Sequence, residues 1–134
     1  MIKGKIDVSQ LNYPPEKDEF ETARYLADMG KDIVFIRPSS IPDIRTPDIK
    51  MDGVEWEIKC PHGSSEKNTI ESNFRKAITQ SRYLIFDLRH VKLPEKLCIT
   101  QLEREFGMRK YLKKMLIICK NGKLRMYPDS ESND

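Results

Sequence analysis

The stretch Asp48-Ile49-Lys50-Met51-Asp52-Gly53-Val54-Glu55-Trp56-Glu57-Ile58-Lys59 decides how the chain is read. Asp52-Gly53 is a preferred two-residue hairpin turn, and apolar and charged residues alternate on both sides of it. With the turn there, partner numbers sum to 105, so Met51 faces Val54, Lys50 faces Glu55, Ile49 faces Trp56 and Asp48 faces Glu57. Strand side chains alternate between faces. Ile49, Met51, Val54, Trp56 and Ile58 therefore share an apolar face, while Asp48, Lys50, Glu55, Glu57 and Lys59 share one that is entirely ionic.

Working outward from the hairpin, Pro14 and Pro15 open a segment, 16–29, in which Phe20, Ala23 and Ala27 recur at helical spacing, with Gly30 placed as a C-cap. Residues 33–36 form a short apolar strand, closed by Arg37-Pro38 and followed by a Pro/Ser-rich loop at 39–47. Beyond the hairpin, a Cys60-Pro-His-Gly-Ser-Ser loop leads to a second helix. Asn68 and Glu71 suggest a capping box for it, Ile70, Phe74, Ala77 and Ile78 line one side, and its end falls near Ser81. A strand at 83–88, a helix at 94–106 and a hairpin turning on Asn121-Gly122 complete the pattern. The order is mixed α/β.

At 134 residues, 38% hydrophobic and 34% charged, the chain has one domain's worth of protein, spanning 1–128, with a frayed tail at 129–134. The longest apolar run, 115–119, is far short of the ~20 residues of a membrane span, so the chain as given reads as soluble and cytoplasmic. Cys60, Cys98 and Cys119 are widely spaced and outside any CxxC pattern, which points to reduced thiols rather than a disulfide framework or a zinc site. The net charge of +3 conceals an asymmetry. Residues 89–125 hold eleven basic and three acidic side chains, a local +8, leaving −5 elsewhere. Such a block suits a polyanion as well as it suits a solvated face.

The ionic face carries the chemistry. Asp48 opposite Glu57 sets like charges ~5 Å apart, which destabilises a sheet unless something compensates. Lys59 is one compensating group, and a hard divalent cation, Mg²⁺ or Mn²⁺, is another. Two carboxylates and a lysine around such an ion suit phosphodiester hydrolysis, in which the metal polarises phosphate and acidifies a bound water. Surface ion pairs are the plainer reading, as for Lys50 with Glu55, at ~1 kcal/mol or less.

Pro47-Asp48, eight residues, then Glu57-Ile58-Lys59 resembles the PD-(D/E)XK nuclease motif. The wider succession is more specific: Thr46-Pro47-Asp48-Ile49, Trp56-Glu57-Ile58-Lys59, Asn68-Thr69-Ile70, Lys76-Ala77, Gln80-Ser81 and Ile85-Phe86-Asp87-Leu88. It is similar, over roughly residues 16–90, to the C-terminal tRNA nuclease domains of CdiA-type contact-dependent growth inhibition toxins and to related domains of mobile elements.

That resemblance implies a restriction-endonuclease-like αβββαβ core, a mixed sheet flanked by helices, here with a C-terminal β-hairpin. It implies that Asp48, Glu57 and the carbonyl of Ile58 bind the metal, that Lys59 assists catalysis, and that a first-helix glutamate takes part: Glu19, with Glu21 and Glu16 as alternatives. Gln80 stands where a polar residue often reaches the site. Asn68 and Thr69 read as caps, and His62 as an idle loop residue. The function implied is a metal-dependent tRNA endonuclease, with an immunity protein as partner and with the block after Arg89 gripping the phosphate backbone. A DNA endonuclease of a mobile element and a non-catalytic nucleic-acid-binding relative are the competing readings. The chain as given starts at Met1 with no delivery module, whereas the resemblance implies delivery within a larger secreted toxin.

Overall fold

The computed structural model describes residues 2–129, so most of the expected tail, 130–134, lies outside the described residues. The hairpin forms in the expected register. Strands β3 (Ile49–Met51) and β4 (Val54–Lys59) pair antiparallel as Ile49↔Trp56, Lys50↔Glu55 and Met51↔Val54. Asp52 and Gly53 turn with φ of 54° and 81°, the double positive φ that lets a two-residue turn follow the strand twist. Trp56 Nε1 donates to the Met51 carbonyl at 3.0 Å, tying the indole across the turn.

The other elements are β1 (Ile6–Asp7), α1 (Lys17–Asp28), β2 (Ile33–Phe35), α2 (Thr69–Ala77), β5 (Tyr83–Asp87), α3 (Glu95–Gly107), β6 (Lys114–Ile118) and β7 (Leu124–Tyr127). All seven strands form one mixed sheet in chain order. β1 runs parallel to β2, β2–β3–β4 is an antiparallel meander, β4, β5 and β6 are parallel, and β7 returns antiparallel. Each parallel pair is joined through a helix, as parallel neighbours require. Single-domain mixed α/β architecture with a C-terminal hairpin is thus what the chain adopts.

The helices divide between the two faces. Ala23 and Leu26 of α1 pack with Ile33, Phe35, Ile49, Met51, Trp56, Ile58, Ile85 and Leu116. On the opposite face, Ile70, Phe74 and Ala77 of α2 and Cys98 and Leu102 of α3 pack with Leu84, Phe86, Met115 and Ile117. Central strands buried on both sides are apolar throughout, which is why 84–86 and 115–118 read as continuous runs.

Three local expectations change. The ionic face of the hairpin is not a wet surface along its length: Glu57 and Lys59 align with Leu84 and Phe86 on the α2 face, and Glu57 is only 4% exposed. No capping box forms at α2, where Asn68 makes no side-chain cap and Glu71 pairs with Arg75 instead. The entry is organised by hydroxyls, Thr69 Oγ1 accepting from Ser65 N and Ser65 Oγ from Asn68 N. The last hairpin turns through three residues, 120–122, because Gly122 donates to the Cys119 carbonyl and Cys119 N to the Lys123 carbonyl. Gly122, at φ 86°, takes the left-handed position, so Asn121-Gly122 is not a two-residue turn.

Candidate active site

Asp48 precedes β3 and is fixed by its own backbone. Its N–H donates to the Trp56 carbonyl and its carbonyl accepts from Ile36 N, both at 3.0 Å. Its carboxylate turns across the hairpin, Oδ2 accepting from Ile58 N at 2.8 Å. The N–H and C=O of a strand residue leave the same edge, so the Ile58 carbonyl is also directed to the Asp48 side. The Glu57 carboxyl meets that of Asp48, and Lys59, two residues on, sets Nζ 3.2 Å from Glu57 Oε2. Glu19, in the first turn of α1, meets the Asp48 carboxyl from the other side. Glu19, Asp48, Glu57 and Lys59 are therefore brought together from three elements.

Three carboxyls face one lysine. Burial, and then the neighbouring Asp48 charge, push Glu57 up to about 8, while Lys59 pulls the other way. Glu19 is likewise pushed up to about 8, by burial first and then by Asp48 and Glu16. Asp48 is raised by its burial, which the Ile58 N–H only partly offsets. Among the described residues, Glu57 Oε1 is buried without a hydrogen-bond donor. A buried carboxylate oxygen lacking a donor is costly, and what is missing is positive charge. Asp48 and Glu57 with the Ile58 carbonyl are hard-oxygen donors suited to a divalent cation.

Gln80 is not on α2. The helix ends at Ala77, and Gln80 sits in the following turn with its N–H on the Ala77 carbonyl. Its Oε1 is the other buried oxygen without a donor among the described residues. Gln80 lines a cleft of about 430 Å³ with Lys59, Arg45, Ser72, Arg75, Lys76 and Thr79. A larger cavity, about 890 Å³, opens on the other flank, where Glu19 and Asp48 share its lining with Tyr13, Phe35, Arg37 and Ser39. Glu19 and Asp48 thus border the larger cavity and Lys59 the smaller.

The cations of the smaller cleft are Lys59, Arg45, Arg75 and Lys76, none of them in the basic block that begins at Arg89. Several residues of that block are committed to structure. Arg89 clamps Asp87 with Nε and Nη2, at 2.9 and 2.8 Å. Arg109 pairs with Glu105 at 2.8 Å, and Lys120 Nζ donates to the Val91 carbonyl. Counting charge along the chain missed the cleft, because its four arginines and lysines come from a loop, a strand and a helix far apart in sequence.

The first-helix alternatives separate by direction. Glu16 lies near enough to raise Glu19 and Asp48 electrostatically, whereas Glu21 turns away to His90, Oε2 to Nε2 at 3.3 Å. His62 is not idle: its Nε2 lies 2.7 Å from Asp18 Oδ2, and its ring stacks on that of His90. The three cysteines are free thiols, and burial pushes Cys60 up to about 12, so it stays protonated. Among the described residues, no helix is long and apolar enough to cross a membrane.

Comparison with known proteins agrees with this architecture. The family model of the contact-dependent growth inhibition CdiA C-terminal domain matches residues 45–124, a span that includes Asp48, Glu57, Lys59 and Gln80 but not α1. In sequence, no curated protein matches the chain. Among solved structures, the CdiA-CT/CdiI toxin and immunity complex from Burkholderia pseudomallei is similar in fold, with a TM-score of 0.59 at 21% identity over 92% of this chain and 98% of that one. The chain belongs to the contact-dependent growth inhibition CdiA C-terminal domain family, a family of toxin domains.

Proposed function

We propose that the chain is a metal-dependent endonuclease of the PD-(D/E)XK type and that its substrate is tRNA. The observation that carries this is the convergence of Asp48, Glu57 and Lys59 at the end of the β3–β4 hairpin, with Glu57 Oε1 buried and lacking a donor. The order α1-β2-β3-β4-α2-β5 is the αβββαβ succession expected of such a core.

In this reading Asp48, Glu57 and the Ile58 carbonyl hold Mg²⁺ or Mn²⁺, which when bound polarises the scissile phosphate and acidifies a water. The residues do the rest. Asp48 has one oxygen fixed by Ile58 N and presents the other. Glu57 supplies Oε1, while its Oε2 keeps Lys59 in place. Lys59 directs a cation at the phosphate oxygens, where developing charge in a site shielded from water is stabilised most strongly. Glu19, raised to about 8, is suited to holding or moving a proton near neutral pH. Gln80 offers its amide at the edge of the cleft, and Arg45, Arg75 and Lys76 line a path for the phosphodiester backbone.

An immunity protein as binding partner belongs to the same proposal, supported by the toxin and immunity complex of similar fold. So does delivery as part of a larger secreted protein. The experiment incubates the purified chain with a tRNA pool, plasmid and single-stranded DNA, each with Mg²⁺ or EDTA, and maps new ends. Metal-dependent ends in tRNA support the proposal, and cutting of DNA alone overturns its substrate.

A further inference from the structure

We infer that Asp18, Glu21, His62 and His90 form a second cation site, for a zinc-like transition-metal ion, that ties α1 to the loops leaving β4 and β5. Asp18 and Glu21 are three residues apart on α1 and so share a helix face. His62 follows the end of β4 at Lys59 by three residues, and His90 follows the end of β5 at Asp87 by three. β4 and β5 are parallel neighbours, with Lys59 beside Phe86, so the two loops leave the sheet side by side. That placement stacks the two imidazoles at 5.2 Å between centroids and within 1° of parallel.

The donor atoms already converge. One donor from each of Asp18, Glu21 and His90 lies within 4.8 Å of the others. His62 Nε2 lies outside that mutual group but within 2.7 Å of Asp18 Oδ2, and so stands next to it as the fourth donor. A tetrahedral zinc ion with bonds of ~2.0–2.2 Å sets its donors about 3.3 Å apart, so small side-chain rotations complete the shell. The four side chains are between 31% and 53% exposed, free to rotate and open to an entering ion. Two imidazoles and two carboxylates select a zinc-like ion over Mg²⁺, which prefers oxygen throughout. Each histidine–carboxylate contact alone could be a surface ion pair. Neither pair by itself accounts for donors from three separate segments meeting around stacked rings.

The scaffold beneath is rigid. Thr22 Oγ1 on α1 donates to Asp87 Oδ2 at 2.7 Å, Arg89 clamps the same carboxylate, and Cys60 Sγ lies 3.7 Å from the Asp18 carbonyl. Since Asp18 adjoins Glu19, an ion here also fixes the helix turn that carries Glu19 toward Asp48. The inference does not depend on nuclease activity, because binding alone is read.

The test titrates ZnCl2 into the metal-free full chain by calorimetry, while NMR follows the histidine ring signals. It compares the wild type, the double variant Asp48→Asn/Glu57→Gln, which removes the carboxylates proposed to hold the other ion, and the double variant carrying in addition His62→Ala or His90→Ala. The expected result is that the His62 and His90 signals shift together in the wild type and in the double variant. Zinc affinity falls at least tenfold when either histidine substitution is added to the double variant, and zinc raises the melting temperature of the double variant but not once either histidine is replaced. Zinc binding by the double variant that is undiminished after either histidine is replaced overturns the site, as does loss of the histidine shifts in the double variant.

Discussion

Replacing Glu57 by glutamine removes one negative charge from a cluster of three carboxyls and one lysine while keeping the side chain's shape. Glu57 is raised from 4.5 to about 8. A lone group shifted by that much would cost roughly 5 kcal/mol in its charged form, at about 1.4 kcal/mol per pKa unit. That shift already includes the opposing pull of Lys59, 3.2 Å away, and it is shared with the coupled Asp48, so the gain expected from the substitution at pH 8.5 is about 1–3 kcal/mol. The sign follows from proton uptake. Between about pH 4.5 and 8 the folded protein holds protons that the unfolded chain has released, so stability falls as pH rises through that window. Urea unfolding in EDTA at pH 5, 7 and 8.5 measures it. The wild type loses stability across the series, while Glu57→Gln loses less and is the more stable protein at pH 8.5. In Mg²⁺ the same variant loses nuclease activity at least a hundredfold, a trade of function for stability. A wild type whose stability is flat from pH 5 to 8.5 in EDTA, or a variant less stable than wild type at pH 8.5, refutes the reasoning.

Asp87, 1% exposed, behaves in the opposite sense: burial alone would raise it, but hydrogen bonds from Arg89 and Thr22 outweigh burial and hold it below 3.8. Its contribution is present above about pH 4 and is lost as the solution is acidified, and Asp87→Ala costs about 2–4 kcal/mol at pH 7 by urea unfolding. Phe74, fully buried and stacked on Phe86 at 5.6 Å, costs about 3–5 kcal/mol as Phe74→Ala in the same assay. Arg45→Ala and Lys76→Ala each weaken tRNA binding and lower the slope of log affinity against log salt by about 1, measured by filter binding with EDTA present. Equivalent changes at Lys110 or Lys113, outside the cleft, leave that slope nearer to the wild type.

The hairpin was legible because turn chemistry and period-two patterning agree there: Asp52-Gly53 sets the register, and the register puts Asp48 against Glu57. Glu19 was legible only as one of three glutamates, since periodicity places a residue on a helix face without saying how far the helix N-terminus leans over the sheet edge. β1 escaped notice because Ile6–Asp7 is two residues long and has no alternation, and it exists as a strand through its pairing with Ile33 and Val34. The end of α2 was overrun because apolar spacing continues to Ile78, whereas the backbone at Thr79 and Gln80 turns back onto Lys76 and Ala77. His62 was invisible as a partner for a different reason. Its neighbours Asp18 and His90 lie 44 and 28 positions away, and only the parallel pairing of β4 with β5 under α1 brings them to it. Arg45, Arg75 and Lys76 share that cause, being adjacent in the cleft and scattered in the chain.

The most direct measurement of the central claim is cleavage of a tRNA pool by the wild type, Asp48→Ala and Glu57→Ala, each with Mg²⁺ and with EDTA, read by mapping new RNA ends. The account predicts discrete new ends for the wild type in Mg²⁺ alone and a loss of at least a hundredfold in either variant. Undiminished cleavage by both variants, or wild-type cleavage that persists in EDTA, would contradict it.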